Sequence, residues 1–368
     1  MLPITSNVPV YVIAEIGVNH NGSPALARQL IRAAASCGAD AVKIQLFQAE
    51  LLASRDAPLA DYQQKTQGEG VNQFELLRGL ELSEQTAAQL KEECADVGID
   101  FLATPFDSPS LRFLTEELAA PCIKLGSGEL TNLPFLLEAA RYRRRLLLST
   151  GMSTLAEVEQ ALAVIAYGLT ADDAAPALRP PSLAAFRSAY VSSAGQNALR
   201  QQVSLLHATS EYPAPPESCN LRSMDTLHSA FGLPVGLSDH SEGIAVAIAA
   251  AARGAAIVEK HLTLDRTMDG VDHQASLEPE AFARMVLGIR QASQALGSPA
   301  KLPVPAELRT AGLVRRSIVA AVPIHAGELY TERNLALKRP GSGLPPERYW
   351  ELLGTPSGRD YRKDDMIE

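Results

Sequence analysis

An α/β chain is predicted, a (β/α)₈ TIM barrel followed by a small β-rich domain, on three observations. Eight apolar runs of strand length recur along the first three quarters of the 368 residues, helix-period segments separate them, and the pattern changes after Gly297. Eight strand–helix units over roughly 290 residues match the count and size of such a barrel. A doubly wound sheet is the runner-up, but no GxGxxG follows the first strand.

The strands start at Tyr11 (YVIAEIG), Ala41 (AVKIQL), Phe101 (FLATPF), Cys122 (CIKLGS), Leu146 (LLLSTG), Val203 (VSLLHAT), Pro234 (PVGLSDH) and Ala255 (AAIVEKHL). Their hydrophobicity is continuous rather than alternating, as for parallel strands buried on both faces. Helices are expected over Ser23 to Ser36, Ser83 to Val97, Thr154 to Tyr167 and Gly243 to Arg253. The stretch Gly168 to Gln201, rich in Ala, Pro and Ser, is too long for an ordinary connection. It reads as an insertion, partly helical around Ser182 to Tyr190, on the face away from chemistry. Residues 1–297 are thus the barrel, 298–312 a semi-rigid linker with three prolines, and 313–368 a compact second domain.

Composition narrows the function. The chain is 46% hydrophobic and 20% charged with no long like-charge run, which excludes disorder. No apolar run reaches the ~18 residues of a membrane span, and the start lacks a signal-peptide pattern. A net charge of −9 without a basic stripe argues against nucleic acid. Cys37, Cys94, Cys122 and Cys219 are scattered, so neither a disulfide framework nor a thiolate zinc site is expected. A soluble cytoplasmic enzyme is the expectation.

Barrel enzymes place catalytic groups at strand carboxyl ends, and all eight strands here end in polar residues. These are Glu15; Lys43 and Gln45; Thr104; Lys124 and Ser127; Ser149 and Thr150; His207, Thr209 and Ser210; Ser238, Asp239 and His240; and Lys260 and His261. Ionisable groups beside apolar strands cost free energy unless they pair with one another or with a ligand, so one convergent pocket is expected. Lys43 and Lys124 with Thr104, Ser127 and Ser149 suit an anion. His240 and His261 end adjacent strands and, without cysteines, suit Mn²⁺, Fe²⁺, Zn²⁺ or Co²⁺ with open positions for water and substrate. Glu15 is a ligand or an orienting neighbour. His207 reads as a pocket or core residue. The NHNG after the first strand reads as an Asn-Gly turn capped by Ser23, and Asp269, Asp272 and His273 lack EF-hand spacing.

AEIGVNHNG, the Lys43–Gln45 strand, TPFD, IKLGSGE, LSTGM, YPAP, GLSDH, EKHLT and DHQASLEP occur in that order. Together they resemble the bacterial sialic acid synthases, the phosphoenolpyruvate-dependent nonulosonic acid synthases. The tail, RRSIVAAVPIHAGE followed by KRPGSGL, is similar to their antifreeze-like (SAF) domain. The resemblance implies condensation of phosphoenolpyruvate with an open-chain N-acetylated aminosugar and release of phosphate. It assigns His240 and His261 to a divalent metal, Mn²⁺ first, with Mg²⁺ or Co²⁺ as alternatives. Glu15 and Glu129 stand at the reacting centre. Lys43, Thr104, Lys124, Ser127, Ser149, Ser210 and Ser238 match phosphoenolpyruvate-binding positions, and Gln45, Tyr212, Asp272 and Arg339 match positions around the sugar. Ser210 stands where some members carry Asn, a departure that bears on the sugar. Arg339 implies a homodimer whose caps are exchanged. Of the family's products, N-acetylneuraminate is the expected one, with N,N′-diacetyllegionaminate or pseudaminate as alternatives. A metal-dependent hydrolase is disfavoured because the first strand has no HxH, and a non-catalytic coat scaffold because the ionisable set is intact.

Overall fold

Each apolar run becomes a parallel strand in the computed structural model, which describes residues 9–59, 72–171 and 181–368. The strands are β1 (Tyr11–Gly17), β2 (Ala41–Leu46), β3 (Asp100–Pro105), β4 (Cys122–Leu125), β5 (Arg145–Ser149), β6 (Val203–Ala208), β7 (Val235–Asp239) and β8 (Ile257–His261). Their order is β3-β2-β1-β8-β7-β6-β5-β4, and every neighbouring pair is parallel. The β1–β8 ladder joins the two ends of the sequence run, and β3 packs beside β4, so the barrel is near-closed.

Period-2 alternation sorts each strand into an outward and an inward set. Outward residues join the helices in the large core, Val12, Ala14, Val42, Ile44, Leu146, Leu148 and Val258 among them. Inward residues at the lower level form a separate apolar plug of Tyr11, Ile13, Ala41, Leu102, Cys122, Leu147, Leu206 and Ile257. Two residues further along the same strands stand Glu15, Lys43, Thr104, Lys124, Ser149 and Glu259. The barrel interior is therefore apolar below and ionised above. Gly236 completes the plug: a Cβ there would come within 2.4 Å of the Ile257 carbonyl oxygen and 2.7 Å of Leu206 Cδ2.

Helices start where side chains cap them. Ser23 accepts from Leu26 N–H before the helix Pro24–Ser36, and Ser83 accepts from Thr86 N–H before Glu84–Val97. Thr154 and Glu157 close a reciprocal capping box before Leu155–Thr170. In the stretch read as an insertion that helix continues to Thr170, and the helices Leu183–Val191 and Ser193–Gln202 pack against it. Residues 172–180 of that stretch lie outside the described residues.

The chain divides into two compact units, 1–297 and 298–368. The second pairs β9 (Ser317–Ala320) antiparallel with β10 (Leu335–Lys338) over a core of Ile318, Ile324, Tyr330, Leu335, Tyr361 and Ile367. Within the stretch expected to be a semi-rigid linker, 298–312, a helix begins and spans Pro305–Val314. Pro305 sits in its first turn, where proline is preorganised rather than disruptive, and Glu307 accepts from Val304 N–H at 2.9 Å. Among the described residues no helix is long and apolar enough to cross a membrane.

Candidate active site

The upper interior holds two lysines and two glutamates within contact of one another. Lys43 Nζ lies 2.5 Å from Glu15 Oε2 and 3.9 Å from Glu259 Oε2, and Lys124 Nζ lies 3.1 Å from Glu259 Oε1. Lys43 also donates to Thr104 Oγ1 at 3.0 Å, and Ser238 donates to Glu259 Oε1 at 2.8 Å. Gln45 donates to Glu15 Oε1 at 3.3 Å. Parallel register explains the convergence: Glu15 is level with Lys43 on β2 and with His261 on β8, and Ser238 is level with Glu259.

Burial lifts the Glu15 carboxyl above the usual carboxylate range; Lys43 pulls it down and Glu259 pushes it up again. Burial opposes ionisation of Glu259 too, but Lys124, Lys43 and the Ser238 hydrogen bond outweigh it and hold that carboxylate low. The two carboxylates are therefore driven apart in proton affinity, one towards holding a proton and one fully ionised.

Beside this quartet stand the two histidines, ring centroids 5.6 Å apart. His240 Nδ1 is 2.7 Å from the Thr209 carbonyl oxygen, so that nitrogen carries the hydrogen and donates it. Ser238 Oγ is 3.4 Å from His240 Nε2, but its hydrogen already goes to Glu259. The Nε2 lone pair is thus unspent. Burial pushes His240 down to about 4 and His261 well below the usual imidazole range, so both rings are neutral at pH 7. His261 Nδ1 is buried without a hydrogen-bond partner, 3.6 Å from Asp272 Oδ2. Burial, then the charge of Glu15, raises the Asp272 carboxyl to about 7. Two neutral rings, one with its far nitrogen anchored to a carbonyl, are a donor set that fits a divalent ion. Among the described residues no group of three or more His, Cys, Asp or Glu side chains has the arrangement of a metal site.

Tyr212 covers both rings, with its centroid 4.1 Å from His240 and 5.9 Å from His261. Ser127 and Ser210 meet at Gly151: a Cβ there would lie 2.6 Å from Ser210 Oγ and 2.7 Å from Ser127 Oγ, and Gly151 N–H donates to Ser127. Ser149 is buried at the end of β5. A cavity of about 660 Å³ opens beside Thr150, Thr209, Ser210 and Glu211.

Not every expected residue joins this group. The half-buried Glu129 accepts from Asn132 at 2.7 Å and is held by that neighbour rather than by the quartet. Arg339 is exposed in the second unit, at the end of β10. Lys260 faces outward from β8 to Asp239 and not into the pocket with His261. The strand-end pattern does not single out Glu259, although alternation puts it on the same face as His261 and opposite Lys260. Asn19, part of a turn by sequence, donates to Leu262 O at 2.9 Å and to Ser276 Oγ at 2.8 Å, tying the β1 loop to the loop after β8.

With this geometry in view, two family models match the chain, that of the NeuB family over residues 30–301 and that of the SAF domain over 315–368. The N,N′-diacetyllegionaminic acid synthase of Campylobacter jejuni is 40% identical over 97% of this chain and 98% of its own length. Its counterpart in Legionella pneumophila is 39% identical over 96% of this chain and 92% of its own length. A crystal structure of the N-acetylneuraminic acid synthetase of Leptospira borgpetersenii, in complex with citrate, aligns with a TM-score of 0.65 at 30% identity, covering 83% of this chain and 90% of that one. The chain belongs to the NeuB family, the phosphoenolpyruvate-dependent nonulosonic acid synthases, and carries a SAF domain at its C-terminal end.

Proposed function

We propose that this synthase condenses phosphoenolpyruvate with a 2,4-diacetamido-trideoxyhexose to give N,N′-diacetyllegionaminate and phosphate. The buried Lys43–Glu15–Lys124–Glu259 quartet carries the chemistry. Glu15 and Glu259 hold the Lys43 ammonium above its ordinary range against burial, whereas burial pulls Lys124 below its own, so an incoming phosphate or carboxylate would favour the charged form of Lys124. Thr104, Ser127, Ser149 and Ser210 add hydroxyls around the same anion, while Ser238, whose hydrogen goes to Glu259, holds that carboxylate beside it.

The choice of sugar departs from the sequence reading, which favoured N-acetylneuraminate. Relatives at 40% and 39% identity are diacetyllegionaminic acid synthases, whereas the aligned N-acetylneuraminic acid synthetase is 30% identical. Ser210, shorter than the Asn of some members, is the departure in this chain that bears on the sugar.

In the reaction, C3 of phosphoenolpyruvate forms a bond to the aldehyde carbon, and the aldehyde oxygen takes up a proton to become a hydroxyl. The positive charge left at C2 is quenched by water, which gives up a proton, and the C2–O bond to phosphate then breaks. Glu15, whose burial favours the protonated form, is placed to supply or take such a proton, with Gln45 fixing its Oε1. Glu259 stays ionised and orients Lys124 and Ser238. Tyr212 and Asp272 border the histidines on the sugar side. We assign His240 and His261 to a divalent cation, Mn²⁺ first, which when bound polarises the aldehyde carbonyl. We further assign the working form to a homodimer in which Arg339 of one chain completes the sugar site of the other.

Phosphate release measured with both sugars tests the substrate. kcat/KM for the diacetamido sugar should exceed that for N-acetylmannosamine by about 100-fold or more. A preference for N-acetylmannosamine would return the assignment to N-acetylneuraminate.

A further inference from the structure

The ion pair between Asp239 and Lys260 faces away from the pocket, and stability alone does not account for it. We propose that this pair is a positioning clamp for the two histidines, an inference that rests on their assignment to a divalent cation. Lys260 is fully buried. It stands on the outer side of β8, and the helix packed over β7 and β8, Ala245–Ala252, is almost entirely alanine. Apolar residues at 239 and 260 would serve stability as well, because desolvating two charges offsets most of their attraction.

What apolar side chains lack is direction. Asp239 and Lys260 are register partners, with Nζ 2.8 Å from Oδ2. The same ammonium donates to the Ser241 carbonyl oxygen at 2.5 Å. The other carboxylate oxygen, Asp239 Oδ1, accepts from Ser241 N–H at 2.9 Å and from its hydroxyl at 2.7 Å. Residues 239 and 241 are therefore both tied to residue 260, with His240 between them and His261 next in sequence. From the other side, Ala214 N–H donates to the His240 carbonyl oxygen at 2.9 Å. The end of β7 has nowhere to slide along β8, so the separation of the two rings is set by directional bonds on the opposite face of the sheet.

The full-length chain serves as the test object. Lys260→Met alone strands a carboxylate in the core, so the main probe is the double variant Asp239→Leu/Lys260→Met. Ser241→Ala is the milder probe and removes one hydrogen bond. Metal-free protein is titrated with Mn²⁺ alone and followed by electron paramagnetic resonance, and kcat and KM are measured at saturating Mn²⁺. Outer contacts of this kind change metal affinity by about 10- to 100-fold, and that is the weakening expected of the double variant, with Ser241→Ala between it and wild type. In the same variant kcat should fall about tenfold while KM for phosphoenolpyruvate stays within about twofold. If the double variant does not fold cooperatively, Ser241→Ala decides. Mn²⁺ affinity equal to wild type in a folded variant overturns the clamp, whatever kcat does. A wild-type chain that takes up no Mn²⁺ overturns the metal assignment instead. The clamp is then judged on kcat, supported by a tenfold loss at constant KM and overturned by an unchanged value.

Discussion

Lys124 and Glu259 show how a binding group can also be a liability to its own fold. Lys124→Met removes a charge that the anion needs and leaves the Glu259 carboxylate buried with its 3.1 Å partner gone. The stability cost of such a stranded charge is about 3–5 kcal/mol. Adding Glu259→Gln removes that charge, so the double variant Lys124→Met/Glu259→Gln should recover most of the lost stability in urea unfolding. It should not recover phosphoenolpyruvate binding, and KM should stay raised about tenfold or more. Recovery of both would mean that Lys124 is structural and that the anion sits elsewhere. Lys43 and Lys124 were legible as buried cations because each interrupts an apolar strand. Glu259 is less legible within EKH, because a polar strand end groups Lys260 with His261. Alternation separates those two, and applying it to β8 residue by residue would have placed Glu259 inside and Lys260 outside.

At the scale of elements, the strands were legible because a parallel barrel strand is apolar on both faces and turns polar only at its carboxyl end. Loops carry no such period, and the segment after β1 was read as a turn although it works as a strut. Asn19 holds Ser276, whose hydroxyl donates to the Asp272 carbonyl oxygen at 2.6 Å, so the strut reaches the backbone of the residue whose carboxylate stands beside His261. Next to Asn19, His20 is fully buried, and its Nδ1 accepts from Gly22 N–H at 3.0 Å. Burial lowers this imidazole from 6.5 to about 4. A histidine with a depressed folded value is neutral in the fold but takes a proton in the unfolded chain. Stability is therefore intact above the unfolded value and lost as pH falls through the window from 6.5 to about 4. His20→Asn keeps an acceptor for Gly22 and removes the titration. Between pH 7 and 5 the variant should lose less stability than wild type, by on the order of 2 kcal/mol, in parallel urea titrations. Equal losses in both chains would show that His20 does not carry this slope. The helix Pro305–Val314 was missed for a related reason. Its prolines were counted as stiffeners of a linker, and the one that opens a helix was not distinguished from those that precede it.

At the scale of the whole molecule, the residues assigned to the reaction come from both units of the sequence. His240 and His261 belong to 1–297, and Arg339 to 298–368. Barrel and tail were legible as separate bodies from the change of pattern after Gly297, but no run of residues states which chain's cap serves which barrel. Complementation answers that. One chain carries His261→Ala and a second carries Arg339→Ala, each expected to be nearly inactive alone, and the two are co-expressed with different tags. In a dimer with exchanged caps, one site of the mixed pair collects both substitutions and the other pairs an intact barrel with an intact cap. Random assortment makes about half of the dimers mixed, so activity should recover to roughly a quarter of wild type. If each cap serves its own barrel, every site in every dimer keeps one substitution and activity stays at the level of the single variants. Mixed dimers isolated through both tags and found inactive would therefore refute the exchange of caps, while leaving the quartet and the histidines of the barrel untouched.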